Sequence, residues 1–216
     1  MTRPISRKEL FQVGGVVAIG WGAAQFFQRI APLGRDVSAN LTAQKLLLDR
    51  GSPRVDVADA DLTVVLFTDY QCPACKLAAP EFDAAVRRDG GVRVIYKDWP
   101  IFGPVSDHAA RVAVASARQG IYPALHMRLM QERRKLDNGV LKANVEVAGG
   151  DWAVLLDDIA VHRKAIDQSI ARNGAEAFAL GLEGTPSYLI GTILVVGGLD
   201  EDEFIAAFAQ ARKQRA

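Results

Sequence analysis

The chain has 216 residues, of which 50% are hydrophobic, and a formal net charge of +1. This length accommodates one ordinary domain with a full core, plus an appendage. The nearly balanced charge gives no electrostatic reason to expect a nucleic-acid partner, and we expect none.

The appendage is predicted at the N-terminus. Within residues 1–34, Arg3, Arg7 and Lys8 precede an uncharged run over residues 10–28. The run is close to the roughly 20 residues that a membrane span needs, and it is longer than the apolar core of most signal peptides. We therefore predict a hydrophobic helix that anchors the chain, with its basic end in the cytoplasm and the remainder exported. A cleaved signal peptide is the alternative.

Residues 35–54 are predicted to be a linker. Leu41, Leu46 and Leu48 have a spacing that is compatible with a short amphipathic helix, which Gly51 would end. Such a helix can pack on the domain or on another subunit. We prefer the simpler interpretation of a spacer that holds a domain of residues 55–216 away from the membrane.

A strand–helix–strand unit follows the linker. An apolar, β-prone run over residues 62–67 leads to Cys72-Pro73-Ala74-Cys75, and a helix-compatible run continues to about Arg88. After a Gly-Gly pair, residues 92–96 form a second apolar run. This order predicts two parallel strands with a right-handed crossover, and it places both cysteines at the N-terminus of the connecting helix.

The cysteine pair is the candidate reactive centre. Unpaired N–H groups and a partial positive charge at a helix N-terminus stabilise a thiolate. Two intervening residues allow the sulfurs to cycle between dithiol and disulfide. We expect Cys72 to be the exposed nucleophile and Cys75 the shielded resolving thiol, while Pro73 suits a first helical position. Half a zinc site and a structural disulfide are the alternatives. Zinc normally needs four ligands, and the chain has no second cysteine pair, so we expect no metal.

The second half of the chain is predicted to be helical and then to return to strands. The pattern over residues 105–180 is helical, in several short helices with breaks near residues 160 and 174. Residues 184–191 begin with Thr-Pro and continue as an apolar strand, and residues 193–196 supply its hairpin partner. An amphipathic helix over residues 200–212 completes the chain.

Four stretches together resemble the thioredoxin superfamily, and specifically its exported DsbA-like branch: residues 67–76, Pro80, residues 97–103 and residues 184–188. The resemblance covers about residue 55 to the C-terminus. It implies an α/β thioredoxin fold, with a mixed sheet built from β-α-β and β-β-α halves and an inserted helical domain at about 105–180.

The resemblance also implies roles for individual residues. It implies a cis peptide bond between Thr185 and Pro186, beside the cysteines, where the backbone binds an extended substrate segment. Pro73 and Ala74 are expected to tune the redox potential. DsbA has His at the position of Ala74, so we expect a weaker oxidant. Many relatives have a buried glutamate six residues before the first cysteine, where this chain has Leu66. Lys76 is interpreted as a solvated residue.

The leading functional hypothesis is a thiol–disulfide oxidoreductase of exported proteins that needs no cofactor and acts through Cys72 and Cys75. We favour an oxidase that is recycled by a membrane or soluble redox partner. A disulfide reductase or isomerase of the same fold is an alternative. So are a non-catalytic, chaperone-like module that binds unfolded chains near Pro186, and a glutathione-linked enzyme with a similar fold.

Overall fold

The computed structural model describes residues 33–215, apart from the side chain of Arg215. The predicted membrane segment at residues 10–28 lies outside the described residues. Within them, no helix combines the length and the apolar character that crossing a membrane requires.

Six strands in the described part of the chain form one mixed sheet. They are β1 (Arg35–Asp36), β2 (Arg54–Val55), β3 (Leu62–Thr68), β4 (Val92–Asp98), β5 (Ser187–Ile190) and β6 (Ile193–Val196). The spatial order is β1-β6-β5-β3-β4-β2. Strands β3 and β4 are parallel, and the other neighbouring strands are antiparallel. The predicted mixed sheet, with its two halves, is confirmed.

Seven α-helices lie within residues 33–215. They are α1 (Leu41–Leu47), α2 (Pro73–Asp89), α3 (Pro104–Ser116), α4 (Tyr122–Gln131), α5 (Asn138–Val147), α6 (Trp152–Ala179) and α7 (Glu201–Arg215). Helix α2 connects β3 to β4, and helices α3 to α6 form the helical block between β4 and β5. Helix α7 follows the β5–β6 hairpin. Successive hydrophobic side chains of β3 point to opposite faces of the sheet and are buried on both, so both faces are covered.

The face of the sheet that carries the cysteine pair has an aromatic core. The ring of Phe82 on α2 lies 5.2 Å from that of Tyr188 on β5 and 5.2 Å from that of Phe204 on α7. These rings hold α2 and α7 against the sheet, because aromatic contacts of this kind bury large areas in defined geometries. The N-terminal end of α2 is thereby fixed at the end of β3.

Residues 35–54 are part of the fold, so the preference for a spacer is wrong. Strand β1 pairs with β6, β2 pairs with β4, and Leu46 of α1 is buried against the second face of the sheet. A buried lysine reinforces this packing. Lys97 Nζ lies 2.5 Å from Asp49 Oδ2 and 2.9 Å from Glu176 Oε2, and so joins β4 to the α1 segment and to α6.

Helix α6 runs unbroken through both positions where breaks were expected. Gly174 is helical, and a Cβ atom at this position would lie 3.3 Å from Trp99 Nε1. The glycine therefore permits close packing of α6 on the Trp99 loop and does not end the helix. The Asn173 side chain contributes to the same contact, because its Nδ2 donates to the Asp98 carbonyl at 3.0 Å.

Candidate active site at the Cys72–Cys75 pair

Cys72 is the N-cap of α2. Its backbone is extended, with φ −72° and ψ 116°, and Pro73 occupies the first helical position. The Cys75 backbone N–H points at the Cys72 sulfur, with an N···Sγ distance of 3.3 Å. An N-cap side chain normally supplies an oxygen acceptor for such an N–H. Here a sulfur takes that place, which is the arrangement that stabilises a thiolate.

The surroundings of Cys72 lower its pKa to about 6. The hydrogen bond with the Cys75 side chain has the largest effect; burial opposes it, and the Thr185 side chain and the amides of Cys75 and Ala74 lower the pKa further. At neutral pH the Cys72 sulfur is therefore mostly ionised, which is the reactive form.

Cys75 has the opposite character. Its hydrogen bond with Cys72 and its burial raise the pKa of the Cys75 thiol far above the ordinary value. Both cysteines are free thiols in this structure. When one of two neighbouring thiols is ionised, the second keeps its proton. The pair therefore contains one thiolate, on Cys72, and one thiol.

The two cysteines differ less in solvent exposure than the sequence predicted. Each is only 2% exposed, so Cys72 is not the exposed residue that the sequence suggested. The difference is one of depth, since Cys75 has more protein around it. Pro73, Ala74 and Leu77 around the pair are exposed, so the sulfur of Cys72 lies just beneath the surface.

The Thr185–Pro186 loop lies directly against the pair. The peptide bond between these residues is cis, as the resemblance implied. The Cys72 sulfur lies 3.2 Å from the Thr185 carbonyl oxygen, to which it donates only when it is protonated. Pro186 is buried, and its carbonyl accepts from the Gly197 N–H at 2.9 Å. The pairing of β5 with β3 carries this loop to the end of β3, so the sheet itself places Thr185 beside Cys72.

Asp69 connects the cysteine turn to the loop after β4, a role that the sequence did not reveal. It is buried, and its carboxylate accepts from Gln71 N at 2.7 Å, Ile101 N at 2.7 Å, Phe102 N at 3.1 Å and Ser106 Oγ at 2.7 Å. Four donors satisfy the buried carboxylate without a cation. Helix α3 begins at Pro104, and the Ser106 hydroxyl in its first turn binds Asp69.

Lys76 and Leu66 are two further side chains near the cysteine pair. Lys76 is half-buried, and its Nζ donates to the Glu132 carbonyl at 2.6 Å, so it is not the solvated residue that was predicted. Leu66 is buried on the same face as the pair. The position at which many relatives have a glutamate is therefore apolar.

A buried carboxylate lies instead at the end of the neighbouring strand. Asp98 is 1% exposed, and the Tyr122 hydroxyl donates to its Oδ2 at 3.0 Å. Burial raises the pKa of Asp98 to about 7, although hydrogen bonds from Tyr70 and Tyr122 oppose the shift. The sequence carried no signal for this group, because Tyr122 reaches it only through the packing of α4.

Among residues 33–215 there is no group of three or more His, Cys, Asp or Glu side chains that could hold a metal ion. His126 is buried beside Tyr70, and His108 and His162 lie on other helices. The chemistry available at this site is thiol–disulfide exchange.

Comparison with protein families and known structures agrees with this geometry. Residues 63–209 match the model of the DSBA-like thioredoxin domain. A thioredoxin-like oxidoreductase from Silicibacter pomeroyi DSS-3 has 35% sequence identity and a TM-score of 0.73, with 79% of this chain and 97% of that chain covered. A periplasmic thioredoxin-like protein from Salmonella enterica serovar Typhimurium has 31% identity and a TM-score of 0.70, with 81% and 97% covered.

A further similarity is to part of a larger protein. The Na(+)/H(+) antiporter NhaA 1 of Mycolicibacterium vanbaalenii is 26% identical over 159 residues, which are 72% of this chain and 26% of the antiporter. The chain thus spans about a quarter of the length of the curated relatives that it matches.

Proposed function

Because the chain belongs to the family of DSBA-like thioredoxin domains and is a thiol–disulfide oxidoreductase, we propose that it forms disulfides in exported proteins. The observation that supports this direction most is the contrast between the two thiols. Cys72 is readily ionised, with a pKa of about 6, whereas the Cys75 pKa is raised. A stabilised Cys72 thiolate favours the reduced enzyme, and an oxidoreductase whose reduced form is stabilised is an oxidant.

The proposed reaction starts from the Cys72–Cys75 disulfide. A substrate thiolate attacks Cys72 Sγ, the disulfide breaks, and the Cys75 sulfur leaves and takes up a proton. A second substrate thiolate then attacks the substrate sulfur of the mixed disulfide, and Cys72 leaves as a thiolate. The substrate loses two electrons and gains a disulfide, and the enzyme becomes the dithiol. A membrane or soluble redox partner removes these two electrons again.

We propose that the backbone at Thr185 binds the substrate segment on either side of its cysteine. The Thr185 carbonyl lies 3.2 Å from the attacked sulfur, and Thr185 is partly exposed. An extended peptide that pairs with this backbone would present its own cysteine to Cys72. Recognition through the main chain tolerates many sequences, as an enzyme with many exported substrates requires.

The proposed location is the exported side of the cytoplasmic membrane, with residues 10–28 as the anchor. One structural relative of this chain is described as periplasmic, and disulfide formation needs an oxidising compartment. A fusion of residues 1–34 to a reporter enzyme that is active only outside the cytoplasm would test this location. Carbonate extraction of the membranes would then distinguish an anchored chain from a cleaved one.

The direction of exchange is tested by the equilibrium between the dithiol and disulfide forms in glutathione buffers. An oxidase is expected to have a potential of about −200 mV or higher, and a value near −270 mV, where thioredoxin lies, would favour the reductase alternative. Substrates would be identified with Cys75→Ser, in which the serine hydroxyl can still donate to Cys72. This variant should accumulate reducible adducts on Cys72, and a Cys72→Ser, Cys75→Ser double variant is the matched control.

A further inference from the structure

Three large hydrophobic side chains are grouped on the surface that covers the sheet face opposite the cysteine pair. Leu41 and Leu48, at the two ends of α1, are 69% and 79% exposed, and Phe178 near the end of α6 is 82% exposed. The Asn40 side chain donates to the Ala179 carbonyl at 3.3 Å, so the start of α1 lies beside the end of α6. Exposed apolar side chains that are grouped, and not scattered singly, mark a contact surface.

Helix α1 turns one side to the sheet and the other to solvent. Ala43 and Leu46 are buried in the core of the second face, whereas Leu41, Lys45 and Leu48 are exposed. Residues with this spacing share one side of a helix. Leucines beside a basic side chain are typical of a helix that lies in a membrane interface, where the leucines enter the apolar layer and the lysine reaches the headgroups.

A pocket on the same side of the molecule begins where α1 ends. It has a volume of about 310 Å³, and Leu48 lies in its wall, so the pocket is continuous with the apolar surface. Its charged lining residues are Asp49, Arg50, Arg54, Asp56 and Arg93. The Asp49 carboxylate is already paired with the buried Lys97 at 2.5 Å. Three guanidinium groups therefore face one remaining carboxylate.

The arginines of this pocket have donors available for an anion. Arg54 and Arg93 reach Asp56 through Nε, at 2.6 and 2.7 Å, and the Nη2 atoms of both have no hydrogen-bond partner among the described residues. Arg50 is exposed and forms no ion pair within residues 33–215. Guanidinium groups bind phosphate oxygens through paired N–H donors. Because Leu48 borders the pocket, a phosphate that is attached to hydrocarbon fits better than a free phosphate ion.

The start of the described chain places this surface near the proposed membrane anchor. The described residues begin at Leu33, and the proposed anchor ends at residue 28. The connection between them reaches at most about 18 Å. Arg35 of β1 donates to the Leu180 carbonyl at 3.0 Å, directly after α6, so the chain enters the fold at the same edge of the sheet as Phe178.

We propose that α1, Phe178 and the arginine pocket form a surface that lies on an anionic lipid bilayer. The leucines and Phe178 enter the hydrocarbon layer, and the arginines bind phospholipid phosphates. A bilayer offers hydrocarbon and phosphate within one interface, so it fits both parts of the surface. The proposal rests on the proposed location of the chain. Because the cysteine pair belongs to the core on the opposite face of the sheet, docking leaves Cys72 accessible to exported polypeptides.

The test uses the full chain in lipid vesicles, with a fluorescent label that a quencher within the bilayer can reach. The label is attached through Gln44→Cys, on the exposed side of α1, in a chain that also carries Cys72→Ser and Cys75→Ser. A nitroxide on the lipid acyl chains quenches only a label that lies in the bilayer. The matched control is a label at Val161→Cys, an exposed position on α6 that lies about 25 Å from Phe178.

In vesicles of phosphatidylcholine and phosphatidylglycerol, we expect quenching at position 44 and none at position 161. Replacement of Leu41, Leu48 and Phe178 by serine should abolish the quenching at position 44. These side chains are exposed, so the fold does not depend on them. Equal quenching at the two positions, or quenching at position 44 that the three serines do not reduce, would overturn the proposal.

The arginine pocket is tested by Arg50→Gln together with Arg54→Gln. The ratio of docked to undocked chain should fall about fivefold for each arginine removed, which is equivalent to about 1 kcal/mol each. Vesicles of phosphatidylcholine alone should have a similar effect. Arg163→Gln removes an exposed arginine elsewhere on α6 and is the matched control. Equal effects of the control and the double variant would overturn the role of the pocket.

Flotation of the vesicles separates this proposal from that of the anchor. A chain that floats with phosphatidylcholine vesicles but shows no quenching at position 44 with either lipid would overturn the surface and leave the anchor intact. A chain that does not float with them would contradict the anchor. Flotation with the anionic vesicles alone, lost in the double arginine variant, would then support the surface, and no flotation with either would overturn it.

Discussion

The carbonyl oxygen of Thr185 lies 3.2 Å from the sulfur of Cys72, although the two residues are 113 positions apart in the chain. The pairing of β5 with β3 creates this contact. It places a backbone acceptor and a threonine side chain beside a sulfur that already caps a helix. The reactivity of Cys72 therefore depends on the long-range fold as well as on the local turn.

The hydroxyl of Thr185 should contribute directly to the ionisation of Cys72. The Thr185 side chain lowers the pKa of Cys72, and its buried Oγ1 has no hydrogen-bond partner among the described residues, so it is available to donate to the Cys72 thiolate. A hydrogen bond to a charged group contributes about 1.5 kcal/mol, which corresponds to about one pKa unit. We expect Thr185→Val to raise the Cys72 pKa by about one unit, measured from thiolate absorbance at 240 nm. Thr185→Ser should retain the low value, and equal pKa values in the two variants would refute this role.

The four hydrogen bonds of Asp69 should be important for stability. Asp69→Asn keeps the shape of the side chain but replaces one acceptor oxygen with a donor, which then faces buried N–H groups. We expect a loss of about 3 kcal/mol in the free energy of unfolding, measured in urea. Ser106→Ala removes only one of the donors and should cost about 1 kcal/mol. Similar losses in both variants would show that the loop at Ile101 and Phe102 does not depend on the carboxylate.

The elements that surround the cysteine pair could be predicted from local sequence patterns. The apolar run before Cys72, the proline at its first helical position and the Gly-Gly pair after α2 each have a local structural meaning, and Gly90 indeed has the left-handed conformation that ends the helix. The place of Thr185 beside the pair was implied only by the family resemblance, since no local pattern joins residues so far apart.

The buried contacts around the cysteine pair could not be predicted, because they depend on how the helical block packs. Asp69 and Asp98 become functional candidates only when Ile101, Tyr122 and Tyr70 surround them. Gly174 suggested a helix break, whereas its lack of a side chain serves the contact with Trp99. In each case the residue type was visible in the sequence, but its partner came from a distant part of the chain.

The buried ion pairs of Lys97 should make stability depend on pH under acidic conditions. Burial tends to raise the Asp49 pKa, but hydrogen bonds from Lys97 and Ser52 outweigh it and lower the value to about 2. A lowered pKa in the folded state stabilises the protein above the unfolded value, near 4, and this contribution is lost as the pH falls towards 2. We expect urea unfolding between pH 6 and pH 2 to show a smaller loss in Asp49→Asn than in the wild type, because other carboxyl groups with a lowered pKa, such as Asp89, still contribute.

Removal of the Lys97 ammonium group should lower the free energy of unfolding more than removal of the Asp49 charge. Lys97→Met leaves two carboxylates close together without a counter-charge, so we expect a loss of about 3 kcal/mol in the free energy of unfolding at pH 7. Asp56→Asn, which breaks the exposed pairs with Arg54 and Arg93, is the control and should cost less than about 1 kcal/mol. Equal effects of the two substitutions would mean that burial does not strengthen the Lys97 contacts.

Asp98 and His126 should compensate each other between pH 4 and pH 6.5. Burial lowers the His126 pKa to about 3, so its contribution to stability is lost as the pH falls below the unfolded value of 6.5. Burial raises the Asp98 pKa to about 7, so Asp98 stabilises the folded state as the pH falls. Relative to the wild type, Asp98→Asn should lose about 1.4 kcal/mol per pH unit in this range. His126→Gln should show the opposite trend, and parallel stability curves for all three proteins would refute the compensation.

The most direct test of the central claim is the pH dependence of the alkylation of Cys72 by iodoacetamide in the reduced enzyme, with the modified residue identified by mass spectrometry. The account predicts that Cys72 reacts first and that its rate is half-maximal near pH 6, because the helix N-terminus, Cys75 and the Thr185 side chain stabilise its thiolate. A half-maximal rate near pH 8.5, the value of an ordinary thiol, or preferential modification of Cys75, would contradict it.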